Sequence, residues 1–152
     1  MALGELYLKD YQRCIGCLAE PTSQQPVTLD HVFPKISGKE HKQILGELVH
    51  NRRNWAPLCI PEHRRVDRVK IKEYREGGVS GLVSFIGEHY PQSPSEEILG
   101  VQRRQFAFLF SELAKTIQEL NGDADRRFKE DYIKALDKSL KLSDRFSNFA
   151  LE

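Results

Sequence analysis

From residue 96 to residue 120 apolar side chains recur at the spacing of a helix. Ile98, Val101, Phe106, Leu109, Phe110, Leu113, Ile117 and Leu120 share one face. A helix of that length with one apolar side has to bury it against something. Its ends are written in the sequence too. Ser93-Pro94-Ser95-Glu96 offers an N-cap, a Pro at the first helical position and a Glu at the third. Asn121-Gly122 offers the stop. Phe128, Tyr132, Ile133, Leu136 and Leu140 predict a last helix on one face, capped by Asp123 or Asp125. A short apolar helix over 80–89, closed by Pro91, comes before both.

The first half reads differently. All three cysteines and most of the prolines fall at or before residue 61. Val27, Leu29, Val32 and Phe33 between Pro26 and Pro34 suggest a short strand. Ile44, Leu45, Leu48 and Val49 predict a short helix over 39–50. A second short strand follows over 54–59. Pro61 suits the first turn of a helix over 61–75 that stops before Gly77-Gly78. With 152 residues, the chain fits one domain or a small core with a helical appendage. The expected class is α+β, mostly α. Residues 1–78 would be a small core and residues 79–152 a helical extension. The Phe106, Phe108, Phe110, Leu113 and Ile117 surface would either pack on that core or form a dimer face, making a homodimer.

Charge excludes a bulk electrostatic partner. Lys and Arg number 23 against 22 Asp and Glu. A basic surface must be local, and residues 50–75 supply it with eight basic residues against three acidic ones. No apolar run reaches the roughly 18 residues that a bilayer span needs, so no membrane is expected. No basic-then-apolar leader opens the sequence. Three cysteines are too few for a disulfide framework. A reduced, intracellular (cytoplasmic) chain with thiols free for a metal is the expectation.

Cys14-Ile-Gly-Cys17 can aim two thiols at one ion, and zinc favours such ligands. Cys59 supplies a third thiol, or is a small buried hydrophobe. Asp30-His31 places a carboxylate beside an imidazole at the end of a strand. Asn54 follows, then His63 on the expected helix with Asp67 four residues on, sharing its face. Asp67 either pairs with Arg64 or Arg68 or adds a metal ligand.

Taken in order, Cys14-x2-Cys17, Asp30-His31-x2-Pro34, Asn54-Trp-x2-Leu58-Cys59 and His63 resemble the HNH nucleases, the ββα-metal superfamily. The resemblance covers about residues 11–70. It implies a hairpin and a helix around one divalent metal, in a zinc-stapled core. Asp30 and His63 would be metal ligands and His31 the general base. Asn54 would brace the His31 loop or bind the metal. The family's usual second Cys-x2-Cys is incomplete, because Glu62 stands in the last Cys slot. Glu62 would then complete a zinc site with Cys14, Cys17 and Cys59. Alternatively His63 completes it and leaves catalysis.

The implied activity is metal-dependent DNA endonuclease, with Mg²⁺ or Mn²⁺ at the catalytic centre and Zn²⁺ as a structural ion. Phosphodiester hydrolysis needs an activated water and a charge on the transition state. An imidazole off the metal can take the water's proton, while Asp suits a hard cation. Arg52, Arg53, Arg64, Arg65, Arg68 and Lys70 would meet the phosphates of double-stranded DNA, or form a solvated face. Two rivals stand beside this reading. One is a non-catalytic, zinc-stabilised nucleic-acid-binding or adaptor module. The other is a helical interaction protein whose Cys and His residues are structural.

Overall fold

The computed structural model describes residues 7–22, 24, 26–120 and 122–151, with side chains as far as residue 148. Two strands, β1 (Val27–His31) and β2 (Trp55–Cys59), pair antiparallel. Asp30 lies opposite Ala56, and His31 opposite Trp55. Two short helices, α1 (Lys35–Glu40) and α2 (Lys42–Leu45), and two 3-10 turns connect the strands. β2 runs straight into α3 (Ile60–His89), with Pro61 in its first turn. Then come α4 (Glu96–Leu120) and α5 (Lys129–Leu151). The chain is therefore α+β and mostly helical, and the small sheet is two-stranded.

The single helix expected over 39–50 is broken. His41, between α1 and α2, sits at φ −126°, ψ 55°, outside helical geometry. Its ring is turned into a nest of Tyr74, Phe128 and Tyr132, and its Nδ1 lies 2.6 Å from the Tyr132 hydroxyl. Ile44, Leu45, Leu48 and Val49 are still all buried, by a tighter path than one continuous helix.

α3 changes direction at Gly78, whose φ of 66° and ψ of −153° no helix contains. The break expected at Gly77-Gly78 is thus present, and the axis resumes at Val79. The new helix start is capped from another element. Asp131 on α5 accepts from the Val79 and Ser80 amides at 2.8 Å each.

α4 starts at Glu96, two residues later than the Pro94 start expected. Ser95 Oγ accepts from Ile98 N at 3.4 Å, while Ser93 Oγ accepts from Ser95 N. Gly122 turns the chain at φ 91°; Asn121 lies outside the described residues. Asp125 caps the 3-10 turn that leads into α5.

The face that α5 buries differs from expectation. Tyr132, Ala135, Ser139, Leu142 and Phe146 point inward, while Ile133 is 59% and Leu140 44% exposed. The large residues misled, because two of the inward positions carry small side chains. Close helix approach needs such residues: Leu142 sits where a Cβ on Gly87 would be, within 2.5 Å.

One core joins both halves. It runs from Leu8 and Cys14 through Phe33 and Leu58 to Phe106, Phe110 and Phe146. Buried Gln105 of α4 stitches the halves. Its Oε1 accepts from Leu8 N at 2.6 Å and its Nε2 donates to the Arg53 carbonyl at 2.9 Å. The face of α4 offered as a dimer surface is therefore interior. Phe106, Phe110, Leu113 and Ile117 are buried by the chain itself. No helix among the described residues is long and apolar enough to cross a membrane.

Candidate metal centres and the cleft beside them

Alternation along β1 puts Thr28 and Asp30 on the side facing α3. His63, in the first turn of that helix, lies against both. Its Nε2 is 3.3 Å from Asp30 Oδ1 and 3.3 Å from Asp67 Oδ2. Its Nδ1 is 2.6 Å from Thr28 Oγ1, and that hydroxyl donates its own proton to the Leu58 carbonyl at 3.0 Å. The threonine oxygen must therefore accept from Nδ1–H. That leaves Nε2 facing the two carboxylates with either a proton or a lone pair. Asp30, His63 and Asp67 offer three ligand atoms within 4.8 Å of one another, an O, N, O set that suits a hard or borderline divalent cation.

Asp30 is held from several sides. Lys70 Nζ contacts both its oxygens, at 3.0 and 2.9 Å, and also takes the His31 carbonyl at 2.6 Å. Tyr90, from the far end of α3, donates to Asp30 Oδ2 at 2.6 Å. Burial pushes the Asp30 carboxyl up, but His63, Lys70 and Tyr90 outweigh it and hold it below the usual range. Hydrogen bonding to Asp30 raises His63 above its ordinary value, against the opposing effect of burial. Burial and the neighbouring Asp30 charge raise Asp67.

Lys70 is a correction to the sequence reading. It was expected to meet phosphate, yet its side chain is 0% exposed and bound to Asp30. Forty residues separate the two, and no local charge pattern reports such a pair.

His31 packs on Trp55, its partner across the sheet, with ring centroids 5.1 Å apart. Its Nε2 is enclosed and has no hydrogen-bond partner among the described residues. Burial, then the positive charge of Lys35, lowers its pKa, so the ring is neutral at pH 7. His31 lines a cleft of about 440 Å³ together with Asp30, His63, Asp67, Lys35 and Ile36.

Asn54 is fully buried and stands away from these ligands. Its Oδ1 accepts from Phe33 N at 2.7 Å, and its Nδ2 donates to the Phe33 and Val49 carbonyls at 3.0 Å each. Of the two roles left open, the brace is the one with geometry. It pins the turn that follows His31.

The three thiols form a second cluster. Cys14, Cys17 and Cys59 sulfurs all lie within 4.8 Å of one another. Cys17 and Cys59 sulfurs are 3.8 Å apart, far beyond a disulfide. That separation matches the edge of a zinc–thiolate tetrahedron, about 3.8 Å for bonds of about 2.3 Å. Burial pushes the Cys14 thiol up, but the backbone amides of Cys59, Cys17 and Gly16 outweigh it and lower it overall. Burial and the two neighbouring thiols raise Cys59. Glu62 reaches over the knuckle, its Oε2 3.0 Å from where a Gly16 Cβ would stand. Arg65 holds that carboxylate by a two-pronged contact of 3.1 and 3.2 Å. His63 belongs to the other cluster, so it does not complete the thiol set.

The remaining basic residues divide. Arg64 and Arg68 are exposed and make no ion pair among the described residues. Arg52 stacks over the Tyr7 ring at 4.7 Å, and Arg53 over Phe108 at 4.2 Å. Neither lines the cleft. Thr28, Lys35 and Tyr90 are site residues that sequence reasoning missed, and Lys70 is one that it named for a different role. Only Thr28 carried a signal, two residues before Asp30 on one strand face. Comparison with family models, curated proteins and solved structures gives no match.

Proposed function

We propose that this chain is a metal-dependent HNH-type endonuclease that hydrolyses DNA phosphodiester bonds on a zinc-stapled ββα-metal core. One observation carries the reading. His63 Nε2 lies 3.3 Å from both the Asp30 and the Asp67 carboxylates, in the same cleft as a second histidine, the neutral His31.

Asp30, His63 and Asp67 would hold a Mg²⁺ or Mn²⁺ ion, and Cys14, Cys17 and Cys59 would hold Zn²⁺, with Glu62 as the fourth ligand. When bound, the divalent ion would supply positive charge to offset the negative charge that develops during hydrolysis. His31 takes the proton of the attacking water, a role its lowered pKa suits at neutral pH. Asn54 keeps the backbone after His31 rigid, so the ring keeps its place. Lys35 in the cleft and the exposed Arg64 and Arg68 of α3 neutralise flanking phosphates without reading bases. One centre per chain cuts one strand and leaves 5′-phosphate and 3′-hydroxyl ends, as the family resemblance implies.

The test is plasmid nicking across Mg²⁺, Mn²⁺ and salt, with zinc measured by elemental analysis. His31→Ala should lose nicking by at least a hundredfold, the scale of general-base catalysis, with zinc content and the circular dichroism of the fold unchanged. Equal nicking by the variant overturns the assignment of the base. A second reading, a non-catalytic zinc-stabilised nucleic-acid-binding module, is favoured by one feature: Lys70 already neutralises Asp30. DNA binding without cleavage in every divalent metal supports that reading instead.

A further inference from the structure

We propose that the Asp30–His63–Asp67 site takes its divalent cation and a phosphodiester jointly, each weakly alone, and that Lys70 is the residue that sets this coupling. The inference rests on the nuclease reading above and adds a regulation of the same centre.

The charge count leads to it. The cleft is lined by two acids, Asp30 and Asp67. Lys70 Nζ lies within 3.0 Å of both Asp30 oxygens and 3.7 Å from Asp67 Oδ1. It is sealed from solvent and also anchored on the His31 carbonyl, so it has no other anion to turn to. Two carboxylates against the Lys70 ammonium leave a single net negative charge for a doubly charged ion, and Lys35 on the same cleft offsets even that, before His63 adds its neutral nitrogen. The buried ammonium also repels the ion at short range, where water screens little.

The ligand count agrees. Three protein atoms converge, and a hard divalent cation takes six or so oxygen or nitrogen ligands. Apart from His31, which this reading keeps off the metal as the base, the rest of the cleft lining is Leu29, Pro34, Lys35, Ile36 and Ile71, none of them a cation ligand. A phosphodiester brings the missing negative charge and the missing oxygens together. Linkage then requires the effect to be reciprocal: the ion tightens DNA by the same factor by which DNA tightens the ion.

Mn²⁺ binding to the full-length, zinc-loaded chain is measured by calorimetry, alone and with a short duplex, in the His31→Ala background so that the duplex stays intact. Asp67→Asn with the same duplex corrects for Mn²⁺ held by DNA. Duplex affinity with and without Mn²⁺ gives the reciprocal reading. The expectation is at least tenfold tighter Mn²⁺ with duplex, and an equal gain for duplex with Mn²⁺. Lys70→Met should bind Mn²⁺ alone at least tenfold more tightly than its parent and gain less from duplex. Tyr90→Phe removes a neutral donor from the same carboxylate and should change Mn²⁺ affinity less than threefold. Equal Mn²⁺ affinity with and without duplex overturns the proposal, as does a Lys70→Met protein that loses Mn²⁺ as fully as Asp67→Asn. Where Lys70→Met does not fold by circular dichroism, Lys70→Gln takes its place, and the parent's two reciprocal affinities still decide whether binding is joint. If Asp67→Asn binds Mn²⁺ as its parent does, the metal-centre reading itself fails, and the coupling was never its cause.

Discussion

An amide side chain has one acceptor and two donor hydrogens, and Asn54 commits all of them to backbone. It binds both polar groups of Phe33 and the Val49 carbonyl, from a position with no solvent exposure. Removing it strands three buried backbone groups, each costing about 1–3 kcal/mol when unsatisfied, with partial relaxation. Asn54→Ala should therefore destabilise the chain by about 2–4 kcal/mol in urea unfolding, an effect independent of added Mg²⁺ or Mn²⁺. Had Asn54 been a metal ligand, the loss would appear in the presence of the ion and be small without it. The sequence displays the His63/Asp67 pair because helical geometry puts i and i+4 together, and it displays Cys14 and Cys17 because a knuckle is local. Cys59 entered through its order in a set. Lys70 and Tyr90 could not be found this way. Their partner Asp30 is 40 and 60 residues distant, and only the packing of α3 on β1 makes them neighbours.

Helices are limited by what crosses them, and the paired glycines of α3 show this within two residues. A Cβ on Gly77 would meet nothing within 4 Å, and its φ lies outside the left-handed range. Gly77→Ala should stabilise by about 0.5–1 kcal/mol through the unfolded chain's lost freedom. Gly78 has φ +66°, and a Cβ there would lie 2.5 Å from Asp131 Oδ2, the oxygen that caps Val79. Gly78→Ala should cost about 2–4 kcal/mol, combining backbone strain with a displaced cap. Thermal melts of the two variants should move in opposite directions, and a shared direction would show that the kink is not what Asp131 holds. The Gly77-Gly78 break was legible because glycine pairs end helices. The buried face of α5 was not. Ala135 and Ser139 line it while Ile133 and Leu140 face out, and apolar periodicity weighs large side chains over the small ones that let helices meet.

At the scale of the molecule, the short strands and α3 would make a thin core alone, and the C-terminal helices complete it. His41 is one of the ties. It lies between α1 and α2, is buried among Tyr74, Phe128 and Tyr132, and shares a hydrogen with the Tyr132 hydroxyl of α5. Burial lowers its pKa below the ordinary 6.5, and nearby Asp131 and Glu40 only partly offset this. The fold thus favours the neutral ring, whereas the unfolded chain takes up a proton near pH 6.5. The stability that His41 contributes is present above that pH and is lost as pH falls through it toward the folded value. His31, lowered for the same reason, acts in the same direction. His63 acts oppositely, because its raised pKa stabilises the metal-free protein at low pH and that share fades as pH rises. A melt of the parent alone mixes the three, so the measurement is a difference. His41→Gln retains a polar group for Tyr132 but cannot titrate. Between pH 7.5 and pH 5.5 the parent should lose more stability than His41→Gln, and the excess belongs to this tie. If both lose the same amount, the α1–α5 contact does not discriminate between the two protonation states of His41.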